Sequence, residues 1–293
     1  MKTWLFIALG IFTAGYAIVW GWSIFESRRK IQWPGWRELF VGLVTNFFDT
    51  LGIGSYAPTT SFFKLWGLVP DEHIPGTMNI GDTLPSVLEA FIYITVVQVD
   101  IVTLALMIGA SVVGAWFGAG VVARLPRRKV QIGMGVALLV MAAFFLMSQF
   151  HLGPGGGEDL GLTGTKLGLA VAANMILGAL MTLGIGMYAP SMMIVYLMGM
   201  SPRAAFPIMT GSCAFLMPAG SVRFVREDSY NLKAALGLLI GGIPGVMAAA
   251  FIVKEMPLYW VRWLVIVVVL YTAAMMLRSA AVERRRAAAV AAA

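Results

Sequence analysis

The chain has 293 residues, of which 59% are hydrophobic and 12% charged, and its formal net charge is +7. The charges stand in short clusters between long apolar stretches, a pattern that excludes a soluble domain and argues against nucleic-acid binding, because basic clusters beside apolar segments are orientation signals of membrane proteins. A single cysteine, Cys213, excludes an internal disulfide, and the sequence contains no motif for a metal or another cofactor.

Seven apolar segments have the length of about 20 residues that a helix needs to cross the hydrocarbon core. They cover residues 3–25, 77–98, 101–123, 130–149, 203–224, 232–253 and 257–278. The first has no small-residue cleavage site after it, so we interpret it as an anchor helix and not as a signal peptide. The sequence therefore predicts an all-α polytopic membrane protein.

Two further apolar stretches, 36–67 and 170–200, are too long for one crossing and carry nearly the same nine residues at their centres. These are TLGIGSYAP, ending at Pro58, and TLGIGMYAP, ending at Pro190. Glycine permits backbone shapes closed to other residues and proline suits the first turn of a helix, so each stretch is predicted to form two half-helices around a break. Matching breaks in two halves are typical of a transporter's binding site.

The repeat extends beyond these two nine-residue motifs, at a nearly constant spacing of 130 to 132 residues. Gly81-Asp82 pairs with Gly211-Ser212, Gly114 with Gly245, and Pro126 with Pro257. The predicted regions are an anchor helix and basic loop (1–35), a first half (36–149), a Gly-rich periplasmic linker (150–166), a second half (167–278) and a cytoplasmic tail (279–293).

The basic clusters predict how the two halves lie in the membrane. Clusters at 28–37 and 124–129 belong in the cytoplasm by the positive-inside rule, so an even number of crossings separates them. Because 77–98 and 101–123 supply two, stretch 36–67 is predicted to enter and leave on one side as a re-entrant hairpin. The same count places the linker outside and Arg284–Arg286 in the cytoplasm. The result is an inverted repeat with about seven crossings and two hairpins whose tips meet near the midplane.

The hairpin tips are the predicted substrate site, because irregular backbone within a membrane must be packed in protein or face a water-filled cavity. Helices that restart at the tips direct their positive N-terminal ends into it, which favours an anion. The predicted substrate-binding residues are Gly52, Gly54, Ser55, Tyr56, Thr59, Gly81, Gly184, Gly186, Tyr188, Ser191, Gly211, Ser212 and Cys213. In the alternative, the tips are structural kinks whose hydroxyls bond the local backbone, and Cys213 is a small buried hydrophobe.

Acidic residues inside the apolar segments are costly and therefore candidates for function. Asp49, Asp82 and Glu89 are predicted to take up and release a coupled proton, with a structural hydrogen bond as the alternative. The basic residues Lys64, Arg203, Arg223 and Arg226 are interpreted as interfacial anchors.

Two compositional features have structural interpretations. The 19 methionines are attributed to apolar filling and not to copper binding. Small residues at four-residue spacing, at 110–118 and 237–249, predict close helix packing, with contacts between copies of the chain in a homo-oligomer as the alternative.

LGIGSYAP and LGIGMYAP are each followed by a small-residue turn, at Asn79–Asp82 and Met209–Cys213. With these motifs the chain resembles the sulfite exporter TauE/SafE family of bacterial membrane permeases over about residues 36–278. The resemblance implies transport across the inner membrane of sulfite, sulfonates or related small sulfur-containing anions, coupled to the proton gradient.

The sequence thus predicts a secondary transporter that alternates access around a midplane site, and two other classes stay open. An intramembrane enzyme would need a nucleophile and a base, but the only histidines, His73 and His151, lie in loops, and no P-loop or serine-hydrolase motif occurs. A membrane scaffold or subunit would need neither paired breaks nor buried carboxylates.

Overall fold

The computed structural model of the protein describes residues 2–26, 32–122, 127–150, 157–181 and 186–291, and these form α-helices with no β-strand among them. The helices are α1 (Lys2–Glu26), α2 (Trp36–Thr50), α3 (Tyr56–Trp66), α4 (Ile74–Val96), α5 (Ile101–Val122), α6 (Arg127–Gln149), α7 (Gly164–Met181), α8 (Tyr188–Leu197), α9 (Ala205–Arg226), α10 (Leu232–Glu255) and α11 (Leu258–Ala291). The prediction of an all-α chain is confirmed. Several predicted features lie outside the described residues, namely Gly184, Pro126, the basic residues at 28–30 and 124, and linker residues 151–156.

Long apolar helices confirm that the protein is of the polytopic membrane type. Within the described ranges, five helices are long and apolar enough to cross a bilayer: α1, α7, α9 with the turn before it, α10 and α11. Helix α7 differs from the prediction because it begins at Gly164, before the expected start at 170, and its 18 residues make it one of these five. The number of crossings stays a prediction.

Both predicted helix breaks lie between consecutive helices of the structure. The first separates α2 from α3 and contains Gly52 and Gly54, whose φ angles of 94° and 90° are accessible mainly to glycine. The second separates α7 from α8. Pro58 and Pro190 are the third residues of α3 and α8, within the first turn, where a backbone N–H has no helical partner and its absence costs nothing.

In each broken pair the end of the second helix lies beside the start of the first, so that the two arms run antiparallel. In the first pair, the ring of Trp36 at the start of α2 lies 5.8 Å from that of Trp66 at the end of α3. In the second pair, Lys166 near the start of α7 donates a hydrogen bond of 3.1 Å to the carbonyl of Met198, just after α8. We call the open ends of the two pairs their bases.

The base of the first pair lies beside the connection between α9 and α10. Glu38 in the first turn of α2 forms a salt bridge of 2.9 Å with Lys233 in the first turn of α10. Nearby, the N–H of Asn231 donates to the hydroxyl of Thr77 at the start of α4, at 2.9 Å. These contacts gather the starts of α2, α4 and α10 at one end of the molecule.

The base of the second pair lies at the opposite end, where α4 finishes and α5 begins. There Asp100 donates its N–H to the carbonyl of Leu160, at 2.7 Å, and Ser201 donates to the carbonyl of Asp159, at 2.9 Å. Because α4 runs the length of the molecule between the two bases, the two broken pairs point toward each other from opposite ends.

Helix packing follows the repeat. Helix α2 packs on α10 and α7 on α5, while α4 packs on α9 and α6 on α11. Individual contacts repeat as well: a Cβ on Gly245 would clash with the carbonyl of Leu43, and one on Gly114 with the carbonyl of Met175, the equivalent residue of the other half. The small residues are thus used for close packing between the halves.

Helices α4 and α9 form the centre of this arrangement. In the most apolar window of α9, 83% of the residues are buried. Helix α1 packs against both central helices, and the hydroxyl of its Tyr16 donates to the carbonyl of Ile80 in α4, at 2.8 Å. The polar side chains in the middle of these two helices, among them Asp82, Glu89 and Ser212, are consequently buried within the bundle.

Candidate functional site

A cavity of about 50 Å³ lies where the two helix breaks meet. Its lining comes from both breaks and from the helices around them: Asp49, Ile53, Gly54, Ser55, Tyr56, Ser86, Met181, Gly186, Met187, Tyr188, Ala189, Cys213, Met217 and Thr272. Six predicted substrate-binding residues are brought together here: Gly54, Ser55, Tyr56, Gly186, Tyr188 and Cys213.

The predicted glycines divide into two groups by the space around them. Gly54 and Gly186 line the cavity, and no atom lies within 4 Å of the position that a Cβ would take. Gly52, Gly81 and Gly211 are packed instead: their added Cβ atoms would meet the side chains of Met192, Leu238 and Ile108, respectively. The structure thus places the latter three against neighbouring helices and outside the cavity lining.

Asp49, in the last turn of α2, lies against the N-terminal end of α3. Its Oδ1 accepts a hydrogen bond of 2.7 Å from the N–H of Ser55, the residue that precedes the helix. Since the positive end of a helix attracts anions, the carboxylate is the protein's own anion at the first break. The equivalent residue of the second half, Met181, carries no charge.

Glu89 joins the two halves. Its carboxylate is fully buried and accepts hydrogen bonds from the hydroxyl of Thr50 at the end of α2, at 2.7 Å, and from that of Tyr188 at the start of α8, at 3.0 Å. Tyr93 in turn donates to the carbonyl of Thr50, at 2.7 Å. The Tyr188 hydroxyl, predicted to face a substrate, therefore donates to a carboxylate.

Asp82 accepts a hydrogen bond of 3.0 Å at Oδ1 from the side-chain amide of Asn46, whereas its Oδ2 accepts none. In the second half, Asn174 donates to Ser212 at 3.2 Å and accepts from Ser191 at 3.0 Å. Thr59, Ser191 and Ser212 are fully buried and lie outside the cavity lining.

Sequence reasoning missed several polar residues of the site. Asn46 and Asn174 carry an available signal, because each is an amide within the apolar first helix of its half. Thr272 of α11 lines the cavity, and its buried hydroxyl has no hydrogen-bond partner. No local pattern marks Thr272, since it lies in a continuous apolar helix far along the chain.

No basic side chain lines the cavity within the described part of the chain. Arg203 donates to the carbonyl of Met256 at 2.7 Å, and Arg223 pairs with Glu227 at 2.9 Å on the surface. An anion in this cavity would be held by backbone N–H groups and hydroxyls while it lies beside Asp49, so the negative charge of that carboxylate has to be offset.

Sulfur atoms form much of the apolar lining, with Cys213 at 3.7 Å from the sulfur of Met181 and with Met187 and Met217 nearby. Across the described residues, no group of three or more His, Cys, Asp or Glu side chains is placed to hold a metal ion.

A protein-family model described as "Sulfite exporter TauE/SafE" matches residues 1–145 and 167–293. The chain belongs to this family. The match includes both helix breaks and extends beyond the resemblance identified from the motifs, which covered about residues 36–278. No curated protein and no solved structure matches the chain.

Membership of the TauE/SafE family agrees with the long apolar helices and identifies a multi-pass membrane protein of a permease family. It also favours transport over the enzyme class that the sequence left open, because the family is one of transporters. Within this TauE/SafE member, the cavity between the two breaks is lined by residues of both halves.

Proposed function

We propose that the protein is a secondary transporter of small sulfur-containing anions, sulfite and sulfonates above all, in the bacterial inner membrane. The observation that carries the proposal is the cavity lined jointly by Gly54–Tyr56 and Gly186–Ala189, two helix breaks that approach from opposite ends of the molecule. The sulfite exporter family supports the class of substrate. Broken helices that meet inside an inverted repeat are the usual construction of such sites.

The anion binds at the second break in this proposal. The N-terminal end of α8 lies beside the open space at Gly186 and has no carboxylate at the position equivalent to Asp49. The backbone N–H groups of the first turn and the unpartnered hydroxyl of Thr272 are donors for anion oxygens. The sulfur-rich and apolar remainder of the lining suits a small anion with a polarizable centre.

Coupling follows from the charges around the cavity. A bound anion lies next to Asp49, and Glu89 lies one hydrogen bond further away, beyond the cavity-lining Tyr188. The negative charges of the anion and of the two carboxylates repel one another strongly in this buried site. A proton on these carboxylates removes the repulsion, and anion and proton then bind together. Because Glu89 bonds residues of both halves, its protonation also acts on the contact between them.

Alternating access follows from the symmetry of the packing. Helix α2 of the first half corresponds to α7 of the second, and α5 corresponds to α10. The contact of α2 with α10 is therefore equivalent to the contact of α7 with α5. Rocking of one set of helices against the other would open the cavity first to one end and then to the other. In this proposal both broken pairs are re-entrant hairpins, and the C-terminal tail lies in the cytoplasm.

Transport by the purified full chain in liposomes tests the proposal. Counterflow is measured with sulfite, thiosulfate, sulfoacetate, taurine and sulfate, and empty liposomes serve as the control. We expect saturable exchange of at least one sulfur-containing anion. If none of the five is exchanged by protein that is folded in the liposomes, the transport function is rejected and the scaffold class is favoured.

Cysteine labelling tests the re-entrant arrangement. On a Cys213→Ala background, single cysteines at positions 30 and 127 should react only from the cytoplasmic side, and one at position 157 only from the periplasmic side. The reason is that two basic loops on one side require an even number of crossings between them. Labelling of 30 and 127 from opposite sides would disprove both the hairpins and the inverted repeat.

A further inference from the structure

Three buried oxygen atoms in the neighbouring helices α2, α3 and α4 have no hydrogen-bond partner. They are Oδ1 of Asn46, Oγ1 of Thr59 and Oδ2 of Asp82, and all three residues are fully buried. A buried polar atom without a partner is costly and uncommon in a native structure, so each asks for a physical explanation. Three of them in neighbouring helices indicate that something absent from the polypeptide itself completes the site.

The orientation of the Asn46 amide is determined by its contacts. Its nitrogen donates to the carbonyl of Gly42 and to Oδ1 of Asp82, both at 3.0 Å. If the amide were turned over, its oxygen would face two acceptors, so the free atom is an oxygen. The site therefore offers acceptors and has no unused donor from Asn46.

Thr59 faces the same strip of α4 as Asp82. One turn before Thr59, the hydroxyl of Ser55 lies beside the Asp82 carboxylate. One turn after it, Phe63 packs in a cluster with Met78, which precedes Asp82 by one turn of α4. Thr59 thus lies between a residue that faces Asp82 and one that packs with Met78, along the turn of α4 that ends at Asp82.

In the second half, the residues equivalent to Thr59 and Asp82 have hydrogen-bond partners. There Ser191 and Ser212, the equivalents of Thr59 and Asp82, are joined through Asn174 by two hydrogen bonds. In the first half, the residue equivalent to Ser212 is an aspartate, which replaces a hydroxyl that can both donate and accept by a carboxylate that only accepts. Ser191 and Ser212 are therefore partnered in the second half, whereas Thr59 and Asp82 each keep an unpartnered oxygen in the half that carries the extra negative charge.

We propose that Asn46, Thr59 and Asp82 form a binding site for a monovalent cation of the size of sodium. Hard cations take oxygen ligands, and the site supplies an amide, a hydroxyl and a single carboxylate, so that one positive charge balances it. No Lys, Arg or His among the described residues bonds to Asp82. The carbonyl of Gly81 adds a further oxygen next to Asp82, because Pro85 has no N–H to pair with it in the helix.

The cation site also lies close enough to the cavity to act on it. Ser55 lies between the two sites, because its N–H donates to the cavity-lining Asp49 at 2.7 Å and its side chain lies beside Asp82. A cation at Asp82 reduces the negative potential that an entering anion meets, so each ion favours the binding of the other. This link to transport rests on the proposed function, whereas the binding of the cation does not.

The test measures sodium binding by the purified full chain in detergent without any sulfur-containing anion. Binding of ²²Na⁺ is measured directly, and the midpoint of thermal unfolding is compared in sodium chloride and choline chloride of equal ionic strength. We expect saturable ²²Na⁺ binding and a midpoint that rises with sodium, because a ligand that binds only the folded state stabilises it. Asp82→Asn should remove both effects.

A pair of matched threonine variants locates the site. Thr59→Val keeps the shape of the side chain but removes one ligand, and should raise the half-saturating sodium concentration roughly tenfold. Thr45→Val makes the same change at a buried threonine of α2 whose hydroxyl donates to the carbonyl of Val41 in its own helix, at 2.7 Å, and should leave that concentration unchanged.

Several outcomes would overturn the cation site. An absence of saturable ²²Na⁺ binding by the folded wild-type protein would show that water or a proton completes the cluster. Equal sodium affinities of Thr59→Val and Thr45→Val would place the ion elsewhere. Sulfur-anion counterflow without sodium binding would reject this site alone, while sodium binding without any such counterflow would reject the proposed function and leave the site standing.

Discussion

Gly186→Leu is expected to lower anion flux by roughly ten- to a hundredfold while leaving the amount of folded protein unchanged. Gly186 lines the cavity, and open space surrounds the position of its missing Cβ. Its φ is not among the positive values of the described glycines, so the backbone accepts a side chain without strain. A leucine would therefore occupy the space proposed for the anion. Counterflow in liposomes, normalised to folded protein, measures the effect.

Two other glycine variants make this result interpretable. Gly168→Leu introduces the same side chain at an exposed position of α7 with no atom within 4 Å of the Cβ, and should transport as the wild type does. Gly54→Leu should lose both flux and folded yield, because its φ of 90° disfavours any side chain. Wild-type flux in Gly186→Leu would remove the cavity from the transport path.

Asp49→Asn is expected to lower pH-gradient-driven flux at least about tenfold while equilibrium exchange of the anion is retained. Asparagine keeps the size of the side chain and an oxygen that can accept the 2.7 Å hydrogen bond from the N–H of Ser55. It cannot take up or release a proton, so the step that couples the gradient is lost and anion binding is preserved. Gradient-driven flux and exchange are measured side by side in the same proteoliposomes.

Glu89→Gln serves as a comparison with a different expectation. Both oxygens of Glu89 accept hydrogen bonds, from Thr50 and Tyr188, and a glutamine would turn an NH₂ group toward one of these hydroxyls. We therefore expect it to lower the thermal stability as well as coupling. If both Asp49→Asn and Asp82→Asn showed gradient-driven flux at the wild-type rate, neither aspartate would carry the coupled proton.

The positions of the helices and of their breaks were predictable from the sequence. Predicted segments 3–25 and 232–253 agree within two residues with α1 and α10. The breaks near Gly54 and Gly186 lie at the two repeated nine-residue motifs, as predicted. These features follow from properties of adjacent residues, since apolar length determines whether a helix can span hydrocarbon and glycine and proline act on their own backbone.

The selection of residues that line the cavity was less predictable. The small-residue turns predicted around Gly81 and Gly211 are wrong, because both glycines lie inside continuous helices, α4 and α9, and each packs against a neighbouring helix. A glycine that admits a ligand and one that admits another helix look the same in sequence, because both lack a side chain for the same steric reason. Only the position of the neighbouring helix distinguishes them.

The sequence by itself determined a helical membrane protein with two similar broken stretches, in which the acidic residues inside apolar segments, Asp49, Asp82 and Glu89, all lie in the first half. Only the tertiary structure decided which polar groups meet: Glu89 with Tyr188, 99 residues away, and Asp82 with Asn46, 36 residues away. It also decided which oxygens of that first half were left without a partner. The physical reason is that hydrogen bonds between helices depend on the rotation and depth of each helix in the packed bundle, which no local pattern of residues specifies.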